Sequence, residues 1–227
     1  MCGRFSFSAS KEKIKAQLGE EIETGENLLA NYNVAPTQQA YVLTNEQPKS
    51  LQYFSWGLIP YWAKDKKIRS KLINARSEGI EDKPSFRSAI RRRRCLVLAD
   101  SFYEWRKEGG KKIPYRILPN NGDLLIMAGI WEVWRKEELP LSTFSIITTP
   151  PNKEMNPIHN RMPVLLTSRV EAEQWLSELS LEEVLTLLKT PKDDLLKIYR
   201  VSEQVNSVRN NAPELHNEVP EQTSLFD

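Results

Sequence analysis

The second residue of this chain is a cysteine, in the opening "MCGRF". Met1 precedes a small side chain, a context in which an initiator methionine is removed. Its removal leaves Cys2 with a free α-amine and a thiol on adjacent carbons, a pair that no internal cysteine offers. The α-amine has an ordinary pKa of roughly 7.7–8.0 against about 10.4 for lysine, so much more of it is neutral and nucleophilic at pH 7. A thiol near 8.5 supplies some thiolate as well, and more where a neighbouring cation such as Arg4 lowers it. The alternative is a small residue packed under the first segment of the chain.

Other positions have chemistry of their own. Glu104 stands in "SFYEWR" between Tyr103 and Trp105. It is either the solvent-facing member of an alternating strand or a desolvated carboxylate with a raised pKa, suited to proton transfer. His159 in "NPIHNRMPVLL" is one of two histidines, and serves either as a satisfied structural ring or as an acid–base group. Asn74 and Arg76 in "LINARSE" alternate, so in a strand they share one face and can hold an anionic ligand, unless the arginine makes a surface ion pair. The run Arg91 to Arg94 is a solvated helix end or a phosphate contact. In "WGLIPYW", Trp56, Tyr61 and Trp62 fill a core, or leave one ring free to stack on a base.

The elements that must position these residues are legible in outline. "SASKEKIKAQLG" predicts a short amphipathic helix capped by Ser10 and stopped by Gly19. "QQAYVLT" and "LQYFSWGLI" predict two strands joined by a polar turn through "NEQPKS". "PSFRSAIRRRR" predicts a helix with Pro84 in its first turn and arginines at its end. The strand-like runs "CLVLAD", "SFYEWRKE", "KIPYRIL", "DLLIMAGIWEVW" and "STFSIITT" follow, with hairpin chemistry in "GGKK" and "PNNGD". Many strands without intervening helices imply an antiparallel sheet, strongly curved or closed like a barrel. Helices at "SRVEAEQWLSEL" and "SLEEVLTLLKT" and a late strand at "LLKIYRVS" complete an α+β single domain over residues 1–215. Residues 216–227 are expected to be a polar, disordered tail.

Composition narrows the classes. The chain has 227 residues, enough to bury a substantial core in one domain. Two cysteines far apart predict a reducing compartment and no disulfide framework. Cys2, Cys95, His159 and His216 share no close ligand spacing, so no metal is expected. No apolar run reaches membrane-span length, and the start lacks a basic segment followed by an apolar one, so no membrane partner is expected and a cytoplasmic location is the default. A net charge of +2 leaves any nucleic-acid affinity to a local cluster of cations.

Together the stretches "MCGRF", "YNVAPTQ", "WGLIPYW", "LINARSE", "RCLVLADSFYEW", "STFSIITT" and "HNRMPVLL", in order, resemble the SOS-response-associated peptidase (SRAP) family of abasic-site processing proteins. "VSEQVNSVRNNAPEL" extends the likeness to about residue 215. The resemblance implies single-stranded DNA containing abasic sites as the partner, no cofactor, and a monomer in the cytoplasm, near the nucleoid in a bacterium. It implies covalent attachment through Cys2 as a thiazolidine, with Glu104 shuttling protons, His159 as second acid or base, and Asn74 holding the cysteine and sugar. It implies a DNA path along Arg4, Asn33, Pro36, Trp62 and Arg76, with Thr148 a weaker candidate, and an imine that permits β-elimination. Two other classes compete: a cysteine peptidase using Cys2, His159 and Asn74, and a non-catalytic single-strand binder, which leaves the placement of Cys2 unexplained.

Overall fold

Ser10 opens the first helix as its sequence predicts. Its side chain accepts from the Lys13 N–H, and Gly19 ends the helix at φ 124°, its N–H bonded to the Lys15 carbonyl. The computed structural model describes residues 2–220. In chain order, β1 (Phe5–Phe7) and α1 (Lys11–Leu18) are followed by β2 (Asn31–Val34), β3 (Gln39–Thr44), β4 (Gln47–Trp56), β5 (Asn74–Arg76) and α2 (Arg87–Arg92). Next come β6 (Arg94–Ala99), β7 (Ser101–Glu108), β8 (Lys111–Pro119), β9 (Leu125–Trp134), β10 (Leu141–Thr149) and β11 (Met162–Pro163). The chain continues through α3 (Arg169–Leu176) and α4 (Leu181–Thr186) to β12 (Leu196–Arg200).

The strands make two sheets. One is antiparallel, in the order β12-β8-β7-β1-β2. In the other, β10, β4, β3, β6 and β9 are hydrogen-bonded in turn and β9 pairs back to β10, which closes a five-stranded barrel. The fold is α+β, as expected, but not antiparallel throughout: β4 and β5 both run parallel to β10. Parallel neighbours need long crossovers, and this one holds the "WGLIPYW" and "LINARSE" segments. Gly57 makes the exit from β4 at φ 121°, where a Cβ would stand 2.6 Å from the Arg69 carbonyl oxygen.

Chain passage from β6 to β7 joins the sheets, with Asp100 at the corner. Its carboxylate accepts from both the backbone N–H and the hydroxyl of Ser8. Trp56 and Phe144 stack between the sheets at 6.5 Å, with Phe5 edge-on to Trp56 at 4.9 Å. Trp175 of α3 is fully buried against the barrel and donates to the Cys95 carbonyl at 3.0 Å.

Local readings fail at three places. The β3–β4 turn is two residues, Asn45 and Glu46, because a register shift after Val42 lets pairing resume at Gln47; most of "NEQPKS" is strand. Pro84 lies in a turn before α2, which begins only at Arg87. Residues 216–220 are not frayed: the Tyr199 hydroxyl donates to the His216 carbonyl, and Val219 N–H donates to Arg200. The expected boundary at 215 therefore falls inside packed structure, while residues 221–227 lie outside the described residues.

The arginine run also divides. Arg94 is 3% exposed and donates to the carbonyls of Trp175, Ser177, Ile90 and Arg91, tying α2 and α3 to the barrel. Arg93 pairs with buried Glu132 at 2.7 Å. Arg92 is exposed. Arg94→Ala is expected to lose about 3 kcal/mol or more in urea unfolding, because several buried carbonyls lose a charged donor at once. Arg92→Ala should stay within about 0.5 kcal/mol. Equal costs for the two would contradict this division of labour.

Candidate functional site

Strand β1 is held between β2 and β7, which brings Cys2 into the apolar layer between the sheets. Cys2 is fully buried there, in one cluster with Phe5 and Trp56. Its carbonyl accepts from the Asn74 side-chain amide at 2.7 Å. Asn74 opens β5, and pairing with Ile146 of β10 sets its height against the barrel. Its Oδ1 is buried with no hydrogen-bond partner among the described residues.

Glu104, on β7 opposite Tyr115 of β8, is 3% exposed. The solvent-facing alternative is thereby excluded. It lies close enough to act electrostatically on both Cys2 and His159. Burial pushes the Cys2 thiol far above its ordinary range, and Glu104 pushes the same way. The expected help from Arg4 does not occur. Its guanidinium is directed elsewhere, donating to Asn33 Oδ1 at 2.7 Å and the Val205 carbonyl at 2.8 Å, so the sulfur stays protonated.

His159 lies in the loop between β10 and β11. Its Nδ1 accepts from the Arg161 backbone N–H at 3.0 Å. Burial lowers its pKa, with Glu104 opposing. The ring is therefore neutral at pH 7, and with Nδ1 occupied as acceptor its proton resides on Nε2. Glu104 and His159 line one open cleft of about 490 Å³, together with Trp105, Lys107, Lys112 and Asn206.

The four residues to which chemistry was assigned, Cys2, Asn74, Glu104 and His159, thus converge from separate chain segments. The six assigned to the DNA path do not form one group. Arg76 is exposed at the end of β5, two residues from Asn74. Thr148, paired with Arg76, is buried, and its hydroxyl donates to the Ala75 carbonyl at 3.4 Å. Asn33 is 1% exposed. Its amide donates to the carbonyls of Val205, Ser207 and Asn210, so it is an internal strut and not part of a surface path. Arg4, half-buried on the same strut, is a tie before it is a phosphate ligand. Pro36 is half-buried in a turn followed by Thr37 in the left-handed region at φ 74°. Trp62 is 47% exposed, with its indole N–H 3.4 Å from the Pro84 carbonyl.

Sequence reasoning missed two contributors. Arg161 fixes the His159 ring by its backbone, while its side chain donates to the Thr148 carbonyl and both Glu78 oxygens. Its place two residues after His159 was the available signal. Trp105 and Asn206, joined by a 2.7 Å hydrogen bond, form a cleft wall that no local pattern announces, since they are far apart in sequence. Among the described residues, no three His, Cys, Asp or Glu side chains form a group able to hold a metal ion, and no helix is long and apolar enough to cross a membrane.

Relatives with this sequence and fold are known. The chain is 44% identical over 222 residues to Abasic site processing protein YoqW of Bacillus subtilis (strain 168), covering 95% of this chain and 98% of that protein. It is 30% identical over 259 residues to Abasic site processing protein HMCES of Gallus gallus, covering 94% and 76%. A crystal structure of a protein from Bacteroides thetaiotaomicron superposes with a TM-score of 0.85 at 31% identity, covering 96% of this chain and all of that one. The family model of the SOS response associated peptidase (SRAP) matches residues 1–208, and the chain belongs to that family.

Proposed function

We propose that this protein processes abasic sites in single-stranded DNA by capturing them covalently at Cys2 once Met1 has been removed. The observation that carries the reading is that Asn74 bonds the Cys2 carbonyl, while Glu104, whose charge acts on both Cys2 and His159, lines one cleft with His159. The names of the relatives, abasic site processing proteins, supply the substrate class.

An abasic deoxyribose opens to an aldehyde. The Cys2 amine attacks its carbon, and loss of one water gives an imine. The Cys2 sulfur then bonds to the imine carbon as its proton passes to the imine nitrogen, closing a five-membered thiazolidine. The sum is aldehyde plus cysteine minus one water, with no oxidant or reductant. Because burial keeps the thiol protonated, that proton needs a carrier, and Glu104 is the carboxylate whose charge reaches the sulfur. Neutral His159 donates from Nε2 to the sugar oxygen or to the carbinolamine hydroxyl as it leaves. Asn74 fixes the Cys2 carbonyl, and its unpartnered Oδ1 suits an amine or sugar hydroxyl donor. Arg76, exposed beside Asn74, meets a flanking phosphate. β-Elimination from the imine is a side branch of the same pathway, the lyase activity.

A cysteine peptidase would need a thiolate at rest. The burial and carboxylate that hold the Cys2 thiol protonated favour capture over that reading.

Three outcomes test the assignment. Cys2→Ser and Cys2→Ala keep the amine, so both should give a borohydride-trappable imine with an abasic oligonucleotide but no heat-stable adduct on a denaturing gel. An extra residue before Cys2 should abolish both products. Heat-stable adduct from Cys2→Ala at the level of the unmodified protein would falsify the thiazolidine. Glu104→Gln should slow adduct formation by about 10²-fold or more, the usual contribution of a positioned proton carrier, without loss of affinity for intact DNA. Arg76→Ala should weaken binding to intact single strands and lower the slope of log affinity against log salt by about one; an unchanged slope removes Arg76 from the DNA path.

A further inference from the structure

A second cleft opens at the other end of the β9–β10 ladder from the candidate site. Its wall is the end of β9, where Trp131 and Val133 pair with Phe144 and Ser142, whereas Arg76 pairs with Thr148. From Ser142 to Thr148 along β10 is six residues, or about 20 Å at about 3.3 Å per residue. Arg92, Arg93, Arg135 and Lys136 line the cleft. Two carboxylates, Glu46 and Glu132, line it as well, and Glu132 is taken up by Arg93 at 2.7 Å. No ion pair among the described residues uses Arg92, Arg135 or Lys136, and all three are exposed. The Tyr61 ring, 57% exposed, joins the lining, next in sequence to half-exposed Trp62.

For a chain whose net charge is +2, this concentration of unpaired cations is local, not a reflection of overall charge. An open, basic concavity with an exposed aromatic ring fits a nucleic-acid backbone with a base against the ring, and does not fit a small apolar ligand. The geometry points to a second DNA contact, in which Arg92, Arg135, Lys136 and Tyr61 hold the strand that extends beyond the lesion site. This inference rests on the capture reading for the identity of the strand. Stacked at about 3.4 Å per phosphate, a strand needs about six nucleotides to cover the distance between the clefts, and fewer when extended. The cleft therefore acts on long substrates and not on short ones.

The test uses the full chain with Arg92→Glu/Arg135→Glu, and Lys11→Glu/Lys15→Glu on α1 as a control of equal charge change. Affinity for an undamaged single strand of about 25 nucleotides is measured across a salt series. The cleft variant should lose about tenfold in affinity at low salt and about two units of salt slope, while the control loses much less. Adduct yield from an abasic oligonucleotide of about three nucleotides, too short to span the clefts even when extended, should be unchanged. Equal losses in the cleft variant and the control would overturn the inference, since net charge alone would then explain them. Equal impairment of the short substrate would also overturn it, placing the effect at the lesion site. Absence of adduct from the unmodified protein would refute the capture reading instead, leaving the salt series on undamaged DNA to judge the cleft.

Discussion

The hydrogen bond from Asn74 to the Cys2 carbonyl is the contact on which the site depends. It is made between the first described residue and a three-residue strand, and neither would have a fixed place without the sheets behind it. Strand β5 is positioned by its parallel pairing with β10, and β1 by its neighbours β2 and β7. This hydrogen bond therefore links the barrel to the open sheet at the point where they share an apolar layer. A side-chain amide suits this role because it is uncharged: it orients the cysteine backbone without drawing the buried thiol toward ionisation.

The two sheets contribute different chemistry to that seam. The barrel side brings Asn74, Arg76 and the His159 loop. The open sheet brings Glu104 and Trp105. A carboxylate on the open sheet and an imidazole on a barrel-side loop line one cleft without sharing a strand, so each is held by its own segment. Burial, with Glu104 second, raises the Cys2 thiol, while Glu104 opposes the desolvation that lowers His159. That is a consistent electrostatic setting for moving one proton from sulfur to nitrogen.

Much of this was legible in sequence, for identifiable reasons. Ser10 and Gly19 marked α1 because capping is a local event. The hairpin around Gly109 and Gly110 declared itself through turn residues. Glu104, Asn74 and His159 stand out as polar residues among apolar ones, and Cys2 by its place directly after Met1. What stayed hidden depended on the third dimension. Nothing local distinguishes Arg94, which bonds four carbonyls inside the fold, from Arg92 two residues earlier in the same run. Asn33 in "YNVAPTQ" is placed on the DNA path by the resemblance, yet the carbonyls its amide donates to lie more than 170 positions away. Closure of the barrel by a parallel pair is invisible to period-two patterning, because parallel and antiparallel strands alternate alike.

The tie from Arg4 to the Val205 carbonyl spans 201 positions, and this separation has a consequence for synthesis. In a chain emerging from the ribosome, Arg4 appears 201 positions before the Val205 carbonyl that receives its guanidinium. Until then β1 lacks part of its anchorage, and the wall supplied by Asn206 does not exist. Loop closure over so long a stretch is also a slow event among folding steps. The nascent chain thus carries Cys2 through the synthesis of those 201 positions without a finished site around it. The candidate site is complete only once the segment carrying Val205 and Asn206 has docked, and a chain truncated before it would have both sheets and no complete cleft.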